Sequence, residues 1–287
     1  MVEERQIAGE SVGWIGIGTQ MLGASLDLSI AEIVRILHAA FDAGSVFVDT
    51  ADVYAPSRPW AGQAERLVGE AIKGWRGAGK KSPFVATKGG HLLGEHPLEI
   101  ARNGSAAHLR KACEASLSAL GVECIDLYQL HSADPDCSLV ESLGALVDLR
   151  KEGKIRHIGV SNFGRRALAE AKALAPIVSA QSRLSLFSRD AAGVASWCKD
   201  NGVVFLCYGP LGRDRAQELS RIEIVADIAL RKGATPQQVA LSWLLAQGPH
   251  LLPLPGATTR EQAIQNAAAK DIRLESADIK ALDELSP

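Results

Sequence analysis

Short runs of consecutive apolar residues alternate along the chain with longer stretches in which apolar residues recur every three or four positions. Continuous apolar runs are typical of strands buried on both faces, and the longer spacing indicates helices with one buried face. The pattern predicts strands over 12–18, 46–50, 84–88, 125–131, 155–161, 178–181, 203–208 and 251–255. It predicts helices over 30–43, 63–75, 106–120, 139–152, 165–174, 191–201, 218–232, 236–247 and 260–269, and a short last helix from residue 277.

This order, eight strands each followed by a helix, predicts one α/β domain over residues 1–287: a single (β/α)8 TIM barrel with a short extra C-terminal helix. Glycines stand where five of the helices should end, as is common for a left-handed helix cap. They are Gly44, Gly121, Gly153, Gly202 and Gly248. The rival architecture, a doubly wound dinucleotide-binding domain, requires a GxGxxG turn after its first strand, but the chain reads GIGTQM there.

Composition and charge exclude some classes of function. The chain is 47% apolar and 22% charged, as ordinary soluble globular proteins are. Its 31 Lys and Arg residues nearly balance 33 Asp and Glu residues, so neither nucleic acid nor a membrane surface is an expected partner. The first ten residues have no apolar core of a signal peptide, and the five cysteines include no CxxC pair. We therefore expect a cytoplasmic protein with reduced thiols, working as a monomer.

Four titratable side chains fall at the ends of three neighbouring predicted strands: Asp49, Tyr54, Lys88 and His131. Any one of them alone is more often structural or solvated than functional. Barrel enzymes, however, carry their chemistry at the carboxyl ends of the strands, and neighbouring ends can bring these four groups into one pocket.

Such a cluster suggests a proton donor. An ammonium near a phenol lowers the phenol's pKa towards the working range, and an aspartate would hold that ammonium in place. A neutral histidine could then orient a carbonyl group of a small-molecule substrate. Since the chain has no serine or cysteine nucleophile motif, the cluster favours carbonyl reduction, and a nicotinamide cofactor would have to supply the hydride.

The sequence resembles the aldo-keto reductase family from its first predicted strand to its last helices. The motifs that carry the resemblance are DTADVY, TKGG, DLYQLH, KIRHIGVSNF and PLPGATTREQAIQN. The resemblance implies that Asp49, Tyr54, Lys88 and His131 form a catalytic tetrad in which Tyr54 is the general acid.

The resemblance also implies a cofactor site. The residues implied to contact the nicotinamide and pyrophosphate are Ser161, Asn162, Gln181, Tyr208, Leu211 and Gly212. Those implied to hold the adenosine 2′-phosphate are Gly256, Thr258, Thr259, Arg260, Gln262 and Asn266. On the residues alone, Ser161 and Asn162 could form an ordinary turn, and Tyr208 could be a core aromatic at the barrel mouth.

Two departures from the family pattern affect these expectations. NADPH-specific members carry basic residues where this chain has glycine and threonine, although Arg260 and a Thr259–Gln262 capping box at a helix N-terminus can hold a phosphate. We therefore expect NADP(H), with NAD(H) as the alternative. We expect no long C-terminal loop of the kind found in larger members. Segments 55–61 and 89–104 would then build the substrate pocket, with Trp60 and His131 as candidate contacts. Trp60 could equally pack under its own loop.

No metal site is expected. The segment HLLGEH, with His91, Glu95 and His96, has a spacing that fits neither HExxH nor HxxEH. The leading interpretation is thus a nicotinamide-dependent carbonyl reductase, or an alcohol dehydrogenase in reverse. Two alternatives remain: a non-catalytic NADP(H)-binding subunit that senses redox state, and a non-redox lyase or isomerase that uses the same acid.

Overall fold

A computed structural model describes residues 4–77, 80, 82–94 and 100–285 of the protein. The strands of these residues are β1 (Arg5–Ile7), β2 (Glu10–Gly13), β3 (Ile17–Gly18), β4 (Phe47–Asp49), β5 (Phe84–Gly89), β6 (His91–Leu93), β7 (Ile100–Arg102), β8 (Ile125–Leu130), β9 (Ile155–Ser161), β10 (Ile177–Arg183), β11 (Val204–Tyr208) and β12 (Leu251–Leu254). The α-helices are α1 (Gln20–Ala24), α2 (Ile30–Asp42), α3 (Gln63–Gly77), α4 (Ala106–Leu120), α5 (Leu139–Lys151), α6 (Arg165–Leu174), α7 (Ala192–Asp200), α8 (Glu223–Lys232), α9 (Pro236–Ala246), α10 (Arg260–Ala268) and α11 (Ser276–Asp283). Short 3₁₀ helices cover Arg58–Trp60, Arg213–Arg221 and Ala269–Asp271.

Eight parallel strands form the barrel, in the order β3-β4-β5-β8-β9-β10-β11-β12. The first and last strands are joined by main-chain hydrogen bonds of 2.9 Å from Gly16 to the Pro253 carbonyl and from Gly18 to the Pro255 carbonyl. The predicted (β/α)8 barrel is thus confirmed. None of the helices in the described ranges is long and apolar enough to cross a membrane.

The helices pack their apolar faces on the outside of the barrel. In α2, the Ser29 hydroxyl accepts the Glu32 main-chain N–H and the Glu32 carboxylate accepts the Ser29 N–H, which satisfies two free donors of the first turn. The same helix buries Ile33, Leu37 and Ala40. A separate apolar cluster fills the inside of the barrel: Ile7, Val12, Phe47, Phe84, Ala86, Leu127, Leu206, Leu252 and Leu254.

The first predicted strand, 12–18, was wrong as one continuous element. It is divided into β2 and β3, because Gly13 has a left-handed φ of 79° that ends the first part. The β1–β2 hairpin covers the amino-terminal end of the barrel. Arg5 of this hairpin is fully buried, and its guanidinium donates to the main-chain carbonyls of Leu251 (3.1 Å) and Leu245 (2.9 Å).

Two other segments differ from the prediction. The predicted helix over 218–232 begins as a 3₁₀ helix and becomes α8 only after Ile222, whose extended backbone separates the two. Segment 89–104, in which the sequence pattern predicts neither strand nor helix, contains the antiparallel strands β6 and β7, in which His91 pairs with Arg102. The five glycines expected to end helices all have positive φ, as predicted.

Candidate active site

Lys88 is the centre of the predicted cluster. It stands near the end of β5 and is fully buried. Its Nζ donates hydrogen bonds to Asp49 Oδ2 (2.8 Å), the Thr50 carbonyl (2.8 Å) and the Tyr54 hydroxyl (3.1 Å). The structure therefore brings three of the four predicted groups into direct contact. The Thr50 carbonyl is an additional ligand of the ammonium that the side-chain pattern did not indicate.

The loop after β4 positions Tyr54. The Tyr54 N–H donates to the Ala51 carbonyl (3.2 Å), and the Tyr54 carbonyl accepts the N–H of Ala64 at the start of α3 (3.2 Å). Helix α1 packs directly against this loop. A Cβ on Gly23 would lie 2.4 Å from the Tyr54 carbonyl oxygen, so this close approach requires glycine.

The pKa shifts of Tyr54 and Lys88 differ in part from the expectation. Burial raises the pKa of the Tyr54 phenol above its usual value, and the nearby Lys88 ammonium lowers it by less. The expected lowering by Lys88 is thus present, but the expected net decrease is wrong, because the phenol is removed from water. Burial alone would lower the pKa of Lys88, but Asp49 and Tyr54 outweigh burial and raise it.

His131 follows β8 directly, and its main-chain N–H donates to the Gly89 carbonyl (2.9 Å). Its ring lies edge-on to the Tyr54 ring, with centroids 6.0 Å apart and planes at 78°. On another side it is stacked with His91, with centroids 3.9 Å apart and planes at 12°. Burial, Lys88 and His91 hold the pKa of His131 well below its usual range, which agrees with the neutral imidazole expected from the sequence. The contact with His91 was not predicted.

The residues expected around the nicotinamide are linked to this cluster. Gln181 Nε2 donates to Asp49 Oδ1 at 2.7 Å. Asn162, which has a left-handed φ of 62°, donates from Nδ2 to the His131 carbonyl at 3.0 Å and to the buried Ser161 hydroxyl at 3.2 Å. The half-buried Tyr208, at the end of β11, donates its hydroxyl to Asn162 Oδ1 at 3.0 Å. These side chains continue the cluster around the barrel mouth.

Leu211 and Gly212 lie between β11 and the following 3₁₀ helix. Gly212 has a φ of +84°, and a Cβ there would lie 2.3 Å from the ring of Phe187. The position therefore requires glycine for both its backbone conformation and its packing.

The segment from Gly256 to Asn266 contains the residues that precede α10 and the first seven residues of that helix. Thr259 caps the helix by accepting the Gln262 N–H (3.1 Å), as predicted. The Gln262 side chain, however, accepts the Thr258 N–H (2.8 Å), so the expected reciprocal capping box is only half formed. Asn266 Nδ2 donates to the Gly256 carbonyl (3.1 Å). The Arg260 side chain is exposed and makes no hydrogen bond or ion pair within the described part of the chain.

Trp60 closes the 3₁₀ helix Arg58–Trp60 and is 52% exposed. The alternative in which it packs under its own loop is therefore not what the structure shows. Among the residues with described positions, no group of three His, Cys, Asp or Glu side chains could hold a metal ion. Glu95 and His96 lie outside the described residues.

Two carboxyl groups beside the tetrad were not singled out from the sequence. Glu65 of α3 is buried, and its Oε1 accepts the Thr87 hydroxyl at 2.6 Å. Asp52, in the loop that carries Tyr54, has a buried Oδ1 without a hydrogen-bond partner in the described structure. Burial raises the pKa of both carboxyls, and the charge of Glu65 raises that of Asp52 further.

Fold and site together define a barrel in which Asp49, Tyr54, Lys88 and His131 meet at the carboxyl ends of neighbouring strands. The chain belongs to the aldo/keto reductase family, whose sequence profile matches residues 14–287. It is therefore an oxidoreductase.

Individual relatives match over nearly their whole length. The chain is 30% identical to the aldo-keto reductase yakc [NADP(+)] of Schizosaccharomyces pombe. The match covers 99% of this chain and 91% of that relative. An aldo/keto reductase from Klebsiella pneumoniae, solved with NADP and acetate, superposes with a TM-score of 0.85 at 29% identity, covering 100% and 96% of the two chains. The glycerol dehydrogenase of Gluconobacter oxydans gives a TM-score of 0.84 at 29% identity, covering 98% and 94%.

Proposed function

We propose that the protein reduces the carbonyl group of an aldehyde or ketone to an alcohol, or catalyses the reverse reaction, with NADP(H) as cofactor and Tyr54 as general acid. The observation that carries the proposal is the position of Lys88 Nζ, within hydrogen-bond distance of both Asp49 Oδ2 (2.8 Å) and the Tyr54 hydroxyl (3.1 Å).

The proton comes from Tyr54. Because burial raises the pKa of the phenol, it is protonated at neutral pH and can donate to a carbonyl oxygen that gains negative charge. The phenolate that remains lies beside the Lys88 ammonium, which stabilises it. Asp49 keeps that ammonium charged and fixed.

His131 orients the substrate. Its imidazole is neutral because its pKa lies well below the usual range, and it stands edge-on to the Tyr54 ring. A neutral imidazole there can hydrogen-bond the same carbonyl oxygen without competing with Tyr54 for a proton. Trp60, being exposed, offers an aromatic surface to the rest of the substrate.

The residues around the mouth of the barrel fit a nicotinamide adenine dinucleotide phosphate. The half-buried Tyr208 offers a ring for stacking, and the amides of Asn162 and Gln181 offer donors and acceptors for a carboxamide. The Gly212 turn permits close approach of a pyrophosphate. Arg260 is a cation at a helix N-terminus with no partner among the described residues, so it suits a 2′-phosphate. When bound, the nicotinamide supplies or accepts the hydride. NADP(H) is favoured over NAD(H) by Arg260 and by the NADP of the yakc and Klebsiella relatives.

The test is to incubate the protein with NADPH or NADH and a panel of aldehydes and ketones, while the nicotinamide absorbance is followed. We expect oxidation of NADPH that depends on the carbonyl compound and that Tyr54→Phe abolishes. Tyr128→Phe is the matched control, since it removes the hydroxyl of a buried tyrosine outside the tetrad.

The other outcomes separate the rival functions. A tightly bound cofactor that no carbonyl compound oxidises would overturn the proposal and favour a redox-sensing subunit. Conversion of a compound without net oxidation of the cofactor would favour a lyase or isomerase.

A further inference from the structure

Both the main chain and the side chain of His91 are held in place beside the predicted cluster. It begins β6, three residues after Lys88, and its main chain pairs with Arg102 of β7. Its side chain extends towards the end of β8, where its Nε2 lies 2.7 Å from the Ser132 hydroxyl. The ring is therefore fixed by its own strand and by a hydrogen bond to the residue that follows His131.

The fixed ring covers one face of His131. The two imidazoles are nearly parallel, at 12°, and their centroids are 3.9 Å apart. The Tyr54 ring approaches His131 edge-on. His131 thus contacts two aromatic rings and is only 7% exposed. Its Nδ1 is buried without a hydrogen-bond partner in the described structure.

Within the described ranges, no hydrogen bond through Nδ1 fixes the orientation of the His131 ring. In many histidine-containing sites a carboxylate or carbonyl on the second nitrogen sets the ring orientation. In this structure the His131 ring is instead stacked on the His91 ring.

On the basis of the function proposed above, we propose that His91 is a positioning residue: its ring holds the His131 imidazole in one orientation and excludes water from the face that it covers. Orientation matters because a hydrogen bond to a reacting carbonyl oxygen depends strongly on distance and angle.

The charges around the pair support this role. Among the described residues, the titratable groups that face His91 are Lys88 from β5, Arg102 from β7 and His131 after β8, and none of these three is a carboxylate. Burial and the cations Arg102 and Lys88 lower the pKa of His91 to about 4. His91 is therefore a neutral ring at neutral pH, and it adds no positive charge beside the Lys88 ammonium.

The test compares His91→Ala, which removes the stacked ring, with His91→Phe, which keeps a ring but removes its polar edge. We measure kcat and KM for the best carbonyl substrate, the dissociation constant of NADPH from tryptophan fluorescence, and the titration of the His131 ring by NMR. His38→Ala is the matched control, because His38 also packs on an aromatic ring (Trp75, 5.4 Å) but lies between α2 and α3, away from the tetrad.

His91→Ala should lower kcat by up to about 10²-fold, as expected for a displaced catalytic group, with little change in NADPH affinity. Water that enters the vacated space should raise the pKa of His131 towards about 6.5, so its resonance and kcat should both titrate between pH 5 and 7. His91→Phe should retain most of kcat and keep His131 untitrated in that range. His38→Ala should leave both readouts unchanged.

Equal losses of kcat in the Ala and Phe variants would overturn the proposal, because the polar edge of the ring would then be what matters. An unchanged kcat and an unchanged His131 titration in His91→Ala would overturn it as well. If the wild-type protein reduces no carbonyl compound, the proposed function fails, but the NMR titration of His131 still decides whether His91 fixes that ring.

Discussion

Gln181 Nε2 donates a 2.7 Å hydrogen bond to Asp49 Oδ1, so the carboxylate that holds Lys88 is itself held by a side chain from β10, across the barrel. The other oxygen of Asp49 accepts from Lys88. Both oxygens are therefore occupied, one on each side, and Asp49 cannot turn away from the ammonium without breaking a buried bond.

Gln181→Leu should consequently lower both stability and kcat. Loss of a buried hydrogen bond to a charged group costs about 1.5–3 kcal/mol of unfolding free energy. The measurement is urea denaturation together with steady-state kinetics. The matched control is Gln265→Leu, which removes an amide–carboxylate bond to Glu261 (3.2 Å) on the surface of α10 and should change stability much less. Equal effects of the two variants would show that the bond to Asp49 has no special role.

Tyr54 and Lys88 should act as one unit. Tyr54→Phe removes the acid and should lower kcat by roughly 10²–10⁴. Lys88→Met leaves the phenol without its stabilising cation, so proton transfer should slow, and the double variant should be little worse than Tyr54→Phe. A double-mutant cycle on kcat checks this. Strictly additive losses would mean that Lys88 acts by some route other than Tyr54.

The two single variants of this cycle should also differ in their free energy of unfolding. Lys88→Met leaves Asp49 buried without its cation, which should cost about 3–5 kcal/mol of unfolding free energy. Tyr54→Phe keeps the Lys88–Asp49 ion pair and should cost much less. Urea denaturation of the single variants measures this difference, and a Tyr54→Phe variant as unstable as Lys88→Met would contradict it.

Arg260→Ala should weaken the binding of NADPH and leave the binding of NADH nearly unchanged. Arg260 is exposed at the start of α10 and has no other partner among the described residues, so a 2′-phosphate would be its main contact. Loss of one charge-assisted contact should cost about 1.5–3 kcal/mol. Quenching of tryptophan fluorescence measures both affinities, with the exposed Arg273→Ala as control. Equal weakening of the two cofactors would place Arg260 outside the phosphate site.

Glu65 should make the protein less stable as pH rises. Burial raises the pKa of its carboxyl in the folded state, so the folded protein holds a proton that the unfolded chain releases above about pH 4.3. The stabilisation is complete below that pH and is lost as pH rises through the folded-state pKa. Glu65→Gln, which can still accept from Thr87, should remove this dependence, whereas the exposed Glu123→Gln should not. The free energy of unfolding is measured from pH 5 to 9 for the wild type and both variants. Parallel curves of this free energy against pH for wild type and Glu65→Gln would contradict the prediction.

The fold could be predicted because each βα unit has its own apolar pattern and its own terminating residues. Helix α4, strand β9 and helix α6 begin and end where the sequence predicts them. The first strand could not be placed, since its division depends on the left-handed backbone of Gly13 and on the hairpin that folds back beneath the barrel. A strand of only two residues, β3, leaves too short a pattern to identify.

The tetrad side chains could be singled out because their types and strand-end positions are visible in the sequence. The Thr50 carbonyl could not, since every residue has a main-chain oxygen. The stacking of His91 on His131 joins residues 40 positions apart and has no local signal. The direction of the Tyr54 pKa shift depends on how much water the fold removes, which only the packed structure shows.

The bonds that close the barrel set the order in which this enzyme can be assembled. Arg5 and the carbonyl that it binds on Leu251 are 246 positions apart, and Gly16 and Gly18 also find their partners only beyond residue 250. A chain still growing on the ribosome has made β4, β5 and β8 long before β12 emerges. Until then, the strands that carry the tetrad belong to an open sheet with exposed edges. The emergence of β12 therefore decides when the strands that carry the tetrad become part of a closed barrel.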